Sequence, residues 1–232
     1  MEIFGVPIDN LTGVEVREKI EAFLREPLFH RIATVNPEFL LLAEKNPAFK
    51  RSLLAADLRL ADGFGLYLPF WLSWISHKSE KLKARIPGAD LVPLILHLAE
   101  KNDLAVHLVL RPDGLSTAKE IEEGLQKTYP KLHLVDTLDQ AIVVLNNFGA
   151  PLQEMFLESL RTNPGPIRLT MGVGGSFDFL TGKVRRSPRW LRNLGLEWLW
   201  RLILQPKRWC RIWKAVFVFP FKACQEQRKR SR

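Results

Sequence analysis

The chain has 232 residues, of which 47% are hydrophobic and 25% charged, and its formal net charge is +9. This length and composition suit one large globular domain, or a domain with an appendage, and exclude a disordered or collagen-like chain. Two cysteines, Cys210 and Cys224, are too few for a disulfide-stapled scaffold, so a reducing compartment is expected.

Strand-like apolar runs alternate with helical patterns over residues 1–180. Strands are predicted at Phe29–Val35, Leu58–Ala61, Leu104–Leu110, Leu132–Val135, Ala141–Asn146 and Ile167–Val173. Helices are predicted at Pro37–Lys50, Gly63–Trp74, Asp90–Lys101, Ser116–Thr128 (with Ser116 as N-cap) and Leu152–Arg161. This alternation predicts an α/β fold, a Rossmann-like layered domain with a mostly parallel sheet, whose ligands bind beyond the carboxyl ends of the strands.

From residue 181 the pattern is helical and interrupted by prolines, which predicts a C-terminal helical appendage of residues 181–232 on an α/β domain of residues 1–180. The appendage contains 15 basic residues (Lys and Arg), two acidic residues and five of the seven Trp. Residues 1–180, in contrast, have a net charge of −4. So basic a segment indicates an anionic partner: a membrane surface, a polyphosphate ligand or nucleic acid.

The segment Arg208–Lys222 places apolar and aromatic side chains on one helical face and basic ones on the other. This pattern predicts either a helix packed on the core or an interfacial helix that lies on anionic lipid. No segment has the roughly 20 apolar residues that span a bilayer, and the N-terminal sequence does not have the pattern of a signal peptide. We therefore expect a soluble or peripheral protein.

Polar clusters follow the predicted strands. Thr34 and Asn36 precede Pro37 at a helix start, where they could bind a phosphate or sugar hydroxyl or simply cap the helix. Asp62, which precedes a glycine, could be a general base or a helix cap. Arg85 could clamp a phosphate or carboxylate, or pair with Asp90 on the surface.

Two further clusters occur later in the sequence. Gln153 could bind sugar hydroxyls or a base edge, or could belong to an exposed helix start. The closely spaced glycines of Gly172–Phe179 could direct backbone N–H groups at a diphosphate, although their spacing is a weak dinucleotide signal. The sequence contains no D-x-D or H-E-x-x-H motif, and its histidines are scattered, so we expect no metal or other cofactor and charge compensation by arginines.

Taken together and in order, these motifs resemble the WecB/TagA/CpsF family of bacterial glycosyltransferases, whose best-known members are N-acetylmannosaminyltransferases. The matching stretches are T-V-N-P-E at Thr34–Glu38, L-A-D-G-F-G at Leu60–Gly65, R-I-P-G-A-D at Arg85–Asp90, P-L-Q-E at Pro151–Glu154, G-V-G-G-S-F-D-F at Gly172–Phe179 and S-P-R-W-L-R-N-L-G-L-E-W-L-W-R at Ser187–Arg201, continuing through Q-P-K-R-W-C-R to Arg211. Each motif is weak alone, but six in order across nearly the whole chain are specific.

The resemblance implies an inverting, metal-independent transfer of N-acetylmannosamine or its uronic acid from a UDP-sugar to a polyprenyl-diphosphate-linked acceptor sugar. Such an enzyme would act peripherally at the cytoplasmic face of the bacterial inner membrane, in the synthesis of teichoic acid or another surface polysaccharide. A glucosyl or glucuronosyl transferase of the same family, acting in exopolysaccharide synthesis, is an alternative. Independently of the resemblance, an appendage this apolar needs cover from its own pocket, from lipid or from a neighbouring subunit, so a homo-oligomer is one of three possibilities.

The resemblance also assigns roles to residues. Asp62 corresponds to the catalytic base and Arg85 to a pocket arginine, while Thr34, Asn36 and Gln153 correspond to polar residues of the sugar site. Gly172, Gly174 and Asp178 correspond to the nucleotide-binding edge. In the family, a C-terminal appendage closes over the site and faces the membrane. Its arginines correspond here to Arg201, Arg208 and Arg211.

Two hypotheses from other classes compete with this interpretation. The basic, aromatic appendage could bind nucleic acid, but no known nucleic-acid module is present and its apolar face suits lipid better. Alternatively, the chain could be a scaffold that has kept the fold and lost catalysis.

Overall fold

The computed structural model describes residues 2–66, 82–206 and 209–230. The chain starts with an antiparallel ribbon of two short strands, Glu2–Ile3 (β1) and Val6–Pro7 (β2). Within the described residues, a second sheet has five strands in the order β4-β3-β7-β6-β5, and every neighbouring pair is parallel. Its strands are His30–Val35 (β3), Leu58–Ala61 (β4), Val106–Val109 (β5), Val143–Asn146 (β6) and Leu169–Gly172 (β7). The predicted α/β fold with a parallel sheet is confirmed.

Helices connect these strands and cover both faces of the sheet. In the α/β part they are Gly13–Arg25 (α1), Pro37–Lys45 (α2), Pro47–Leu54 (α3), Gly88–Lys101 (α4), Ala118–Thr128 (α5), Leu152–Ser159 (α6) and Phe177–Leu180 (α7). The later helices are Arg189–Asn193 (α8), Glu197–Leu204 (α9), Trp209–Trp213 (α10) and Phe219–Arg230 (α11), with a π-helical turn at Lys214–Val218. No helix in the described ranges combines the length and the hydrophobicity needed to cross a bilayer.

Two predicted helices differ from the observed ones for local reasons. The predicted helix Pro37–Lys50 is interrupted at Asn46, whose side chain accepts a hydrogen bond from the Phe49 N–H (3.0 Å) and caps a new helix that begins at Pro47. Proline lacks an N–H and disfavours a helical conformation of the residue before it, so the first helix ends there.

The helix predicted from Ser116 begins at Ala118, and Thr117 rather than Ser116 is its N-cap. Thr117 and Glu120 form a reciprocal capping box, with each side chain accepting from the other residue's backbone N–H. The predicted strand Leu132–Val135 forms only an isolated bridge to β5. Of the predicted helix Gly63–Trp74, residues 64–66 form a 3₁₀ turn, and residues from 67 onwards lie outside the described part of the chain.

Two large apolar clusters lie on opposite faces of the sheet. Ile32 belongs to one cluster, which includes residues of α1, α4 and α5, whereas Ala33 belongs to the other, with residues of β1, β2, α2 and α3. Neighbouring strand residues point to opposite faces, which explains this division. Phe219 and Ala223 of α11 are buried in the second cluster, so the last helix packs against the N-terminal ribbon and α2.

Truncating Phe219 to alanine is expected to lower the free energy of unfolding by about 3–5 kcal/mol, the usual cost of removing a buried aromatic ring. Its side chain is 0% exposed, and its ring meets that of Phe4 edge-on at a centroid distance of 5.8 Å. Denaturant unfolding measures the change, and Phe221→Ala, at a position 66% exposed, is the matched control with an expected change within about 0.5 kcal/mol. Equal unfolding midpoints for the two variants would contradict the packing of α11.

Candidate active site

The carboxyl ends of β3 and β4 bring two of the predicted residues together. Thr34 lies opposite Leu60 in the parallel register, and Asp62 directly follows β4. Both residues approach the start of α4: the Gly88 N–H donates to Asp62 Oδ2 (3.4 Å), and a Cβ at Gly88 would lie 3.2 Å from Thr34 Oγ1. The absence of a side chain at Gly88 therefore allows the helix start to lie against both residues.

Asp62 has the properties of a general base. Burial raises the pKa of its carboxyl group to about 6, and the negative charge of Glu197 acts in the same direction. The positive charges of Arg201 and Arg85, together with the Gly88 N–H, oppose this rise. A carboxylate with a pKa near the working pH can accept a proton effectively and is still ionised at neutral pH.

Two predicted arginines lie in the same cluster as Asp62. Arg85 Nη2 lies 3.3 Å from Glu197 Oε2, and Arg201 Nη2 lies 3.7 Å from Glu197 Oε1. The Arg201 guanidinium also lies over the ring of Phe179, 5.0 Å from its centroid. The structure thus joins positive charge from the segment before α4 with positive charge from α9.

The alternative interpretation of Arg85, a surface ion pair with Asp90, is wrong. Asp90 Oδ1 instead lies 2.7 Å from Arg186 Nη1 and 3.8 Å from Arg192 Nη1. These two ion pairs connect Asp90, in the first turn of α4, to α8 and to the segment that precedes it.

Gln153 is a buried bridge between two loops at the same edge of the sheet. Its Oε1 accepts from the N–H groups of Gly149 (2.9 Å) and Gly174 (3.2 Å), and its Nε2 donates to Glu154 Oε1 (3.0 Å). The side chain is 3% exposed, so the interpretation as an exposed helix start is wrong. A Cβ at Gly172 would overlap the Gln153 amide, which explains why glycine ends β7.

An ion pair beneath this bridge was not predicted from the sequence. Arg31 is fully buried, and its Nη1 donates to Glu154 Oε2 at 2.7 Å while its Nε donates to Glu158 Oε2 at 2.9 Å. Burial raises the pKa of Glu154, and the charge of Arg31 opposes this. Because Glu154 accepts from the Gln153 NH₂ group, the amide oxygen of Gln153 faces Gly149 and Gly174.

Two other predicted residues make structural contacts. The Asn36 side chain accepts from the Phe39 N–H (3.0 Å) and caps α2, which is the alternative role considered for it. Asp178 Oδ1 accepts from Ser116 Oγ (2.8 Å), which links the turn after Gly174 to the segment that precedes α5. Neither hydrogen bond involves Asp62, although a Cβ at Gly63, the residue after Asp62, would lie 3.8 Å from Asn36 Cβ.

Of the last predicted arginines, Arg211 pairs with Glu38 and not with the carboxylates of the Asp62 cluster. Arg211 Nε and Nη2 donate to Glu38 Oε2 at 3.0 and 2.6 Å, on the first turn of α2. Arg208 lies outside the described residues. Near the same turn, a Cβ at Gly65 would lie 3.1 Å from Ala215 O, so the π-helical turn passes beside the loop that follows Asp62.

Four aromatic side chains of this C-terminal segment are exposed, in contrast to the buried Phe219. We define the aromatic stripe as Trp209, Trp213, Phe217 and Phe221, which are 60%, 54%, 55% and 66% exposed. The rings of Trp213 and Phe217 contact each other, with centroids 4.4 Å apart. A helix packed on the core through these aromatic side chains is therefore excluded.

Over its full length the chain is similar to known glycosyltransferases. The family model described as the glycosyl transferase WecG/TagA/CpsF family matches residues 1–232. Relatives from Staphylococcus aureus strains MRSA252 and NCTC 8325 / PS 47 are each 28% identical over 248 residues, which cover 99% of this chain and 94% of the relative. Both are called N-acetylglucosaminyldiphosphoundecaprenol N-acetyl-beta-D-mannosaminyltransferase. The family expected from the sequence motifs is confirmed, and the chain belongs to the WecG/TagA/CpsF family of glycosyltransferases.

Proposed function

We propose that this enzyme transfers N-acetylmannosamine, or its uronic acid, from a UDP-sugar to a polyprenyl-diphosphate-linked acceptor sugar in the synthesis of a cell-surface glycan. The observation that carries the proposal is the partly buried Asp62, with a pKa of about 6, beside the guanidinium groups of Arg85 and Arg201. The names of the Staphylococcus aureus relatives support the choice of donor sugar and acceptor.

The chemistry that fits this cluster is a single in-line displacement with inversion. Asp62 takes the proton of the acceptor hydroxyl, whose oxygen forms a bond to the anomeric carbon while the bond to UDP breaks. Negative charge accumulates on the leaving diphosphate, and Arg85 and Arg201 are the groups near Asp62 that would compensate it.

We assign the donor side to the loops joined by Gln153. The Gly174 turn would bind the nucleotide diphosphate, with Gly172 and Asp178 on either side of it and Gln153 holding its position. Thr34, next to Gly88 and Asp62, would contact the transferred sugar. Asn36 would support this region by capping α2.

We assign the aromatic stripe to the surface of the membrane that carries the acceptor. Indole and phenyl rings favour the headgroup region, and basic side chains nearby favour anionic lipid. Arg211, which is 57% exposed, would lie at this surface. This placement makes the enzyme peripheral at the cytoplasmic face, where UDP-sugars and lipid-linked acceptors meet.

A UDP-release assay tests the proposal with four donors, UDP-N-acetylmannosamine, its uronic acid, UDP-glucose and UDP-glucuronate, each with and without polyprenyl-diphosphate-linked N-acetylglucosamine. We expect acceptor-dependent release that is fastest with one of the two mannosamine donors. A preference for UDP-glucose or UDP-glucuronate would overturn the assigned donor in favour of the exopolysaccharide alternative. The absence of acceptor-dependent release with every donor would contradict transfer itself.

A further inference from the structure

Glu197 has no assigned role, yet it lies at the centre of the charged cluster. Its carboxylate is 3.3 Å from Arg85 and 3.7 Å from Arg201, and its side chain is 13% exposed. The other acidic residue of residues 181–232, Glu226, accepts a hydrogen bond from the Phe4 N–H (3.0 Å). Glu197 is therefore the acidic side chain that the appendage brings to Asp62.

The helix α9 explains how this placement arises. Glu197 is its first residue, where the positive end of the helix dipole favours a carboxylate. Arg201 follows four residues later, so the two side chains lie on the same helical face and can form an ion pair. Arg85 comes from a different part of the chain, 112 positions away from Glu197.

The charges around Asp62 are balanced in this arrangement. Arg201 and Glu197 face it from α9, Arg85 faces it from the segment before α4, and the Gly88 N–H faces it from the start of α4. Without Glu197, the guanidinium groups of Arg85 and Arg201 would repel each other. Asp62 would then be the one carboxylate of this cluster left to offset their charge.

We propose that Glu197 is a positioning residue, which bridges Arg85 and Arg201 and holds the two guanidinium groups beside Asp62, where they face the leaving diphosphate. The inference rests on the proposed function, because it specifies how the arginines of that site are arranged. It also connects α9 directly to the chemistry, because docking of this helix brings both Glu197 and Arg201 to the site.

The test compares Glu197→Gln with Glu44→Gln. Glu44 is the matched control because it also forms an ion pair between residues 1–180 and the C-terminal segment. Its carboxylate lies 2.6 Å from Lys222 Nζ, but Glu44 belongs to α2 and is away from Asp62. For Glu197→Gln we expect kcat to fall roughly tenfold, less than the 100-fold or more that follows loss of a charge-stabilising donor itself. We also expect the acid limb of the pH–rate profile to move to lower pH, because a negative charge near Asp62 is lost.

The control should keep the wild-type profile, since it removes a docking contact without changing the charge near Asp62. Glu197→Asp keeps the charge, so its acid limb should stay at the wild-type pH while its kcat falls through poorer contacts. An unchanged acid limb in Glu197→Gln, or kcat within twofold of the wild type, would overturn the proposal.

A measurement that needs no turnover separates this inference from the proposed function. Titration of the ¹³C-labelled Asp62 carboxyl group by NMR should give a lower pKa in Glu197→Gln than in the wild type and in Glu44→Gln. If the wild-type protein transfers no sugar but this difference is present, the proposed function fails and the arrangement of the charges stands. If transfer is normal and the Asp62 pKa is equal in all three proteins, the role of Glu197 fails alone. Should Glu197→Gln not fold, an Asp62 pKa in Glu197→Asp far from the wild-type value would likewise overturn it.

Discussion

Replacing Asp62 by asparagine is expected to lower kcat for sugar transfer by roughly 100- to 10,000-fold, the usual contribution of a positioned general base. Asparagine has nearly the same shape but cannot accept the proton of the acceptor hydroxyl at neutral pH. The donor contacts that we assign to the Gly174 turn are left in place, so the affinity for UDP-sugar, measured by calorimetry, should change little. Near-normal turnover by this variant would remove Asp62 as the base.

The pH dependence of the wild type provides a second measure of the same group. Since the ionised carboxylate is the active form and its pKa is raised to about 6, kcat/KM should fall as the pH decreases through 6 and level off above it. Asp62→Asn should lack this acid limb in its residual activity. Asp136→Asn, at an exposed position, is the matched control and should keep both the rate and the profile of the wild type.

The raised pKa also separates loss of catalysis from loss of folding. An acid whose pKa is higher in the folded than in the unfolded state stabilises the fold at low pH, and that contribution disappears as the pH rises through 6. At pH 7 the buried negative charge of Asp62 is therefore unfavourable for folding. We expect Asp62→Asn to unfold at a temperature no lower than the wild type at pH 7, so its inactivity cannot be attributed to unfolding.

Most of the fold and part of the site could be predicted from the order of strands and loops along the sequence. Apolar runs such as Leu58–Ala61 located the strands, and Asp62 followed from its position at a strand end. The N-cap at Thr117 could also have been found, because Glu120 three residues later completes a capping-box pattern that Ser116 does not have.

The ion pairs between distant residues could not be predicted from these sequence patterns. Arg31 and Glu154 are 123 positions apart, and Arg85 and Glu197 are 112 apart. Periodicity tells which face of an element is buried, but it does not tell which charged side chain from a distant element lies opposite. The motif that contains Glu197 identified this segment as part of the family pattern. The contact between Glu197 and Arg85 could be seen only in the folded structure. The division of the chain at residues 180 and 181 stays a prediction.

Replacing Trp209, Trp213 and Phe217 together by serine is expected to reduce binding to anionic lipid vesicles by about 100-fold or more. Burying even one large apolar side chain contributes roughly 1.5–3 kcal/mol, and these three side chains are all more than half exposed in the folded protein. Because they are exposed, the triple variant should unfold like the wild type. Its activity should fall on an acceptor embedded in vesicles but persist on a short, water-soluble acceptor analogue.

Truncation after Lys183 is the harsher version of this test. It removes the aromatic stripe together with Glu197, Arg201 and the buried Phe219, so both vesicle binding and transfer to either acceptor should be lost. Equal activity of the truncated protein on a lipid-linked acceptor would contradict any role of the appendage in the site. Binding of the wild type to duplex DNA in preference to vesicles at about 150 mM salt, where non-specific phosphate contacts are weak, would assign the aromatic stripe to nucleic acid. The triple variant tests the surface alone, because only the truncation also removes the two charged residues that α9 places beside Asp62.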